Sequence, residues 1–139
     1  MSKPFFRADH VGSLLRPERL KKARADFHAG ALDRAGLTAV EDECIAGCVA
    51  MQENAGLEAI TDGEFRRENW WIHFIEQIDG VEITQPKASD AFQQNPTYGG
   101  GYVPKGVRIA GKLGGGGKIS VGDFTFLKNA TSKIGRAHV

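Results

Sequence analysis

The sequence predicts an α/β fold built around a parallel sheet. Three observations carry that reading. Strand-like segments alternate with amphipathic helices, in the order strand, helix, helix, strand, helix. The 139 residues are enough for one hydrophobic core. Apolar residues make up 41% and charged residues 25%, the proportions of a globular chain and not a disordered one.

The elements follow in order. Phe5-Phe6-Arg7-Ala8-Asp9-His10-Val11 reads as a short strand, and Gly12-Ser13 as the turn after it. Pro17 falls where proline is tolerated best, in the first turn of a helix. Leu20, Ala23 and Phe27 then recur at helical spacing among Lys21, Lys22 and Arg24, and Gly30 marks the end. In the second helix Thr38 and Glu41 have the spacing of a capping box. Val40, Cys44, Cys48 and Met51 share its apolar face, Glu41, Asp42, Glu43 and Glu53 lie off it, and Gly56 closes it. Leu57 to Thr61 reads as a strand. A third helix is expected from about Glu68 to Ile78, with Trp70, Phe74 and Ile78 as its stripe. Val81-Glu82-Ile83 and Val107-Arg108-Ile109-Ala110 predict a two-stranded excursion over about 81–113, with a mobile tip between the strands. Gly114 to Gly117 reads as a flexible linker. Ser120 to Asp123 offers another capping pattern, and Phe124 and Leu127 open a fourth helix reaching about Ala130.

Composition excludes several function classes. Lys and Arg total 18 against 17 Asp and Glu, far from the basic field of a nucleic-acid binder. No apolar run approaches the ~20 residues that span a bilayer. The start lacks a signal-peptide core, and two cysteines make no disulfide scaffold, so a cytoplasmic protein is expected.

Few residues carry chemistry. Cys44 and Cys48 are four apart on a helix, yet they lie in an apolar stripe with no further ligand at zinc spacing, so a core role is expected. His28 reads as a solvated residue near a helix end, His73 lies on the polar flank of the third helix, and His138, in the last six residues, is expected to carry no function. His10 is different, because it ends a strand, where α/β folds gather their ligand sites; a strand-end hydrogen bond stays equally open. Asp62-Gly63-Glu64 ends the next strand, followed by Arg66 and Arg67. A buried carboxylate needs a cationic partner. A substrate ammonium group would serve, and so would a local ion pair of Glu64 with Arg66 or Arg67. The glycine run lacks the ending of a phosphate-binding loop.

The blocks Asp9-His10-Val11-Gly12-Ser13-Leu14-Leu15-Arg16-Pro17 and Gly56 through Arg67, with Trp70 or Trp71 after, resemble the cobalamin-independent methionine synthase family, in particular its short single-barrel members. Val107 to Leu113, Ile119 to Val121 and Asp123 to Lys128 continue the likeness more weakly. The resemblance implies the first part of a (β/α)₈ barrel of the methionine synthase/uroporphyrinogen decarboxylase-like type. It implies methyl transfer from a methyl-folate to the thiol of homocysteine, giving methionine, with zinc holding the thiol as thiolate. It assigns Val11, Gly12, Ser13 and Glu64 to homocysteine; His10 and Asp62, at the same strand ends, are expected from their position as further lining residues. The family's zinc ligands, a His, two Cys and a Glu, fall beyond the matched region, and Cys44 and Cys48 do not correspond to them. The family's Arg-Cys pair for folate has Tyr102 and Val103 nearest to it, so that contact does not carry over.

A closed barrel takes about 250 residues, so residues 1–133 read as part of a barrel domain. Ile134-Gly135-Arg136-Ala137-His138-Val139 reads as a translated sequencing adapter, ATC-GGA-AGA-GCA-CAC-GTC, and the parent protein is expected to continue differently after Lys133. Two alternatives stay open: a related zinc-dependent thiol alkyltransferase with another substrate, and a small non-catalytic binding module.

Overall fold

The computed structural model describes residues 12–69, 71–84, 105–115 and 117–136. These fall into two compact units, one from the segments before Trp71 and after Ile119, the other from the segment between.

In the first unit, helix α1 spans Glu18–His28, with Pro17 at its N-cap, and buries Leu20 and Ala23. Gly30, in the left-handed region at φ +74°, turns the chain out of it. Helix α2 spans Arg34–Asn54. Its cap is Asp33, whose carboxylate accepts the Gly36 N–H at 2.7 Å. This corrects the expected start at Thr38. Arg34 and Ala35 are good helix formers, and Leu37 is buried, so propensity and packing extend the helix upstream of the capping-box pattern.

The buried face of α2 is Leu37, Glu41, Ile45, Cys48, Val49 and Gln52. It is turned from the expected Val40/Cys44/Cys48/Met51 stripe, and Met51 is 55% exposed. Two polar residues cause the turn. Glu41 is paired with Arg34 and Arg66. Gln52 is matched to the backbone of strand β1, Ala59–Thr61: its amide donates to the Thr61 carbonyl at 2.8 Å, and its oxygen accepts the Thr61 N–H at 3.0 Å. Hydrogen bonds and ion pairs offset part of the desolvation cost of placing such groups in a core.

Leu20, Ala23, Leu37, Ile45, Cys48, Val49, Ile60, Phe65 and one residue of a later helix, Leu127, form the core. The single-turn helix α3, Ile72–Ile75, belongs to the second unit. The expected helix over 68–78 contracts to this because its last bonds tighten to i→i+3, from Gln77 to Phe74 and Ile78 to Ile75. Phe74, expected in the stripe, is largely exposed. Strands β2, Val81–Thr84, and β3, Gly106–Ile109, pair antiparallel, as expected of the excursion. Gly80, at φ +82°, must be glycine: a Cβ there would sit 2.5 Å from the Lys112 carbonyl oxygen. Gly114, expected in a free linker, donates to the Asp79 carbonyl. The expected mobile tip and the strand over 5–11 lie outside the described residues.

Back in the first unit, helix α4 spans Val121–Ala130 and contributes Leu127 to the core. Ser120 precedes it at φ +58° without a side-chain cap, so the expected capping there is not made. An N-cap side chain works from extended backbone, and the left-handed residue is not in that geometry. Strand β4, Ile134–Arg136, pairs parallel with β1, Ala59 opposite Ile134 and Thr61 opposite Arg136. A strand thus falls inside the segment read as adapter-derived; backbone pairing needs only extended residues and does not depend on their origin. Two parallel strands joined through a helix are the repeating unit of an α/β barrel, and the mixed α/β architecture is that of a partial one.

Candidate active site

Two chain segments meet at the end of β1. One is the stretch 12–16, the other the turn 62–69. They are tied by the Leu14 N–H, which donates to the Gly63 carbonyl at 3.1 Å.

The turn is built by its own short side chains. Thr61 Oγ1 accepts the Gly63 N–H at 3.1 Å, and Asp62 Oδ1 accepts the Glu64 N–H at 2.9 Å. Gly63 and Glu64 are both left-handed, at φ +68° and +57°. At Gly63 a Cβ would crowd the Phe65 ring at 3.0 Å and Cys48 Sγ at 3.2 Å, so glycine is required. Glu64 has no such excuse. A non-glycine residue held there costs about 1–2 kcal/mol, a cost typical of functional positions.

The two arginines after the turn diverge. Arg67 Nη1 stands 3.9 Å from Glu64 Oε1, so the local ion pair expected as one reading of Glu64 is made with Arg67, at a distance beyond hydrogen-bond length. Arg66 turns away from Glu64. It lies 3.5 Å from Glu41, bonds Asp42, approaches Asp123 at 3.2 Å, and places its guanidinium carbon 4.9 Å from the Phe126 ring centroid. Arg24 donates to the Phe65 carbonyl at 2.5 Å, and burial together with the nearby Arg16 charge pushes it down from its usual value.

Between the segments opens a cleft of about 490 Å³, lined among the described residues by Gly12, Ser13, Arg16, Glu64, Glu68 and Asn69. Glu64 is only 8% exposed and is one of the residues of the cleft wall. A hydroxyl, a guanidinium, two carboxylates and a carboxamide in one small space suit a ligand that carries both an ammonium and a carboxylate.

Three of the site residues expected from sequence, Gly12, Ser13 and Glu64, come together here. Asp62 does not line the cleft, because its carboxylate is spent on holding the turn. His10 and Val11 lie outside the described residues. Sequence reasoning missed Arg16, Glu68 and Asn69 as lining residues. Their signal was position: each lies within five residues of Ser13 or Glu64.

The described residues do not make the zinc site that the resemblance implies. Among them no three His, Cys, Asp or Glu side chains gather around one point. Burial pushes the Cys44 and Cys48 thiols up, away from the thiolate a metal needs. Cys48 Sγ instead accepts the Gln52 amide at 3.2 Å.

Residues 6–110 match the family model described as "Cobalamin-independent synthase, Catalytic domain". The Bacillus subtilis (strain 168) protein YxjH is 38% identical over 133 residues, which cover 93% of this chain and 34% of that protein. A Lactococcus lactis subsp. cremoris (strain SK11) protein named "5-methyltetrahydropteroyltriglutamate--homocysteine methyltransferase" is 34% identical over 82 residues, 59% of this chain and 11% of that one. Among solved structures, that of a protein described as a putative vitamin-B12 independent methionine synthase from Listeria monocytogenes superposes with a TM-score of 0.68 at 36% identity, covering 95% of this chain and 34% of the other. The chain therefore spans about a third of the length of YxjH and of the Listeria protein. The family match across most of the sequence, with the likeness in fold and sequence to the Listeria protein, places this chain in the cobalamin-independent methionine synthase family.

Proposed function

We propose that the cleft of Gly12, Ser13, Arg16 and Glu64 holds the amino-acid end of homocysteine, in a cytoplasmic protein that moves a methyl group from 5-methyltetrahydrofolate, as a polyglutamate, to the homocysteine thiol. The observation that carries this is the strained turn: it sets Glu64 in the wall of the same cleft as Ser13. The methyltransferase name of the Lactococcus relative supports the reaction class.

The residues of this chain bind and orient. Glu64 receives the substrate ammonium, and Ser13 donates to the carboxylate end. Zinc, when bound, keeps a thiol as a nucleophilic thiolate; its ligands belong to a region outside this sequence. The activity accordingly belongs to a polypeptide of the relatives' length.

The test is Glu64→Gln in the full-length protein. A carboxylate facing an ammonium contributes about 1.5–3 kcal/mol net. Its loss should weaken homocysteine binding by roughly 10- to 150-fold, with zinc content and melting temperature nearly unchanged. Normal binding with a melting temperature many degrees lower would make Glu64 a structural residue and refute the assignment.

A further inference from the structure

Arg16 reaches across the cleft from the first segment to the second. Its Nη2 donates to the Arg67 carbonyl at 2.9 Å and to the Glu64 carbonyl at 3.3 Å, and its Nη1 stands 3.4 Å from Ser13 Oγ. One guanidinium thus spans the hydroxyl and the left-handed carboxylate residue that face each other across the cleft. It does so although its Nε–H is buried without a hydrogen bond, a cost a merely convenient contact does not justify. Of the two carbonyl acceptors, that of Glu64 also accepts the Arg67 N–H at 3.2 Å, so the guanidinium adds a bond to the strained turn from a segment 48 residues away. Only a planar fork with several N–H groups serves these acceptors at once, which a lysine ammonium on a thinner stem cannot match.

We infer that Arg16 is a positioning residue: it fixes the strained backbone of Glu64 and the hydroxyl of Ser13 relative to each other, so that the amino-acid end of the substrate meets both at once. This rests on the substrate reading above, and it goes beyond that reading by assigning specificity to a residue that need not touch the ligand.

The experiment is a double-mutant cycle in the full-length protein, with homocysteine affinity, kcat and KM, and melting temperature read on Arg16→Lys, Glu64→Gln and the pair. If Arg16 acts through Glu64, Arg16→Lys raises KM for homocysteine about tenfold with kcat changed less than threefold. In the Glu64→Gln background it then adds less than threefold, because the group it positions has already lost its charge. Amide exchange of Phe65 to Arg67 should quicken in Arg16→Lys, with the global melting temperature within a few degrees of the parent. Effects that multiply independently would overturn the inference, and so would an Arg16→Lys protein that binds homocysteine as the parent does. A Glu64→Gln protein with unchanged homocysteine affinity would instead refute the substrate reading itself, and the positioning role with it.

Discussion

Burial pushes the Glu41 carboxyl above its ordinary value, outweighing the pull of the Arg34, Arg66 and Arg24 charges. The folded chain therefore holds this proton more tightly than the unfolded chain does. The stability it contributes is complete below the unfolded carboxylate value and is lost as pH rises through the folded one. Glu41→Gln carries no such proton. Relative to the parent, its melting temperature should rise as pH is raised from about 4 toward neutrality; a difference that stays flat or moves the other way across that range contradicts the buried-acid reading. Glu41 also shows where single-residue reading stops. Its charge argued for the solvent face, and the structure buries it to 1% exposure because Arg34 and Arg66, seven residues ahead and twenty-five behind, converge on it. That Ser13 and Glu64 could share a cleft was legible, since each follows directly on a glycine just after a strand-like run. Arg16 was not, because its role depends on carbonyls at Glu64 and Arg67 that the sequence does not show to be near it.

At the scale of elements, the start of α2 distinguishes two caps. Asp33→Ala removes an acceptor used at 2.7 Å and should cost about 1 kcal/mol in the full-length protein. Thr38→Ala, at the position the capping-box pattern marks, should stay within about 0.5 kcal/mol. Thermal melts of the two variants side by side decide it, and the reverse order would restore the start at Thr38. The helices were readable wherever periodicity was long, as in α1 and α2. The contraction of the third helix to Ile72–Ile75 was hidden, because nothing in Trp71 to Ile78 breaks a helical pattern; the tightening lies in the i→i+3 bonds that lead into Gly80. The cap at Asp33 was hidden by a competing pattern a turn and a half later.

At the scale of the molecule, much apolar surface stays uncovered. Leu15 is 88% exposed and Met51 55%, and both line a second, apolar cleft of about 560 Å³ with Leu14, Pro17, Cys44 and Phe65. No described helix is long and apolar enough to cross a membrane, so a bilayer-spanning helix does not account for that surface. Strands β1 and β4 pair with each other and with no other described strand, leaving edges that template association. Residues 1–133 made alone should therefore associate and melt without one sharp transition. Sizing and calorimetry check this, and a soluble monomer with a single cooperative melt would support a self-sufficient module instead. The α/β class and the excursion were legible from alternation. The pairing of β4 with β1 was not, because the stretch from Ile134 carries too short a pattern to mark a strand.

The cluster around Arg66 also sets an order of events during synthesis. Its carboxylate partners come from residues 41, 42 and 123, and its aromatic partner from residue 126. A nascent chain still short of Asp123 on the ribosome can offer Arg66 only the α2 carboxylates and no ring to lie against. The guanidinium, 9% exposed once everything is in place, then stays in water. The turn that carries Glu64 draws its own bonds from Thr61 and Asp62 and needs none of these partners. The helix that completes the burial of Arg66 thus arrives some sixty residues after that turn, and it is not among the described lining residues of the cleft.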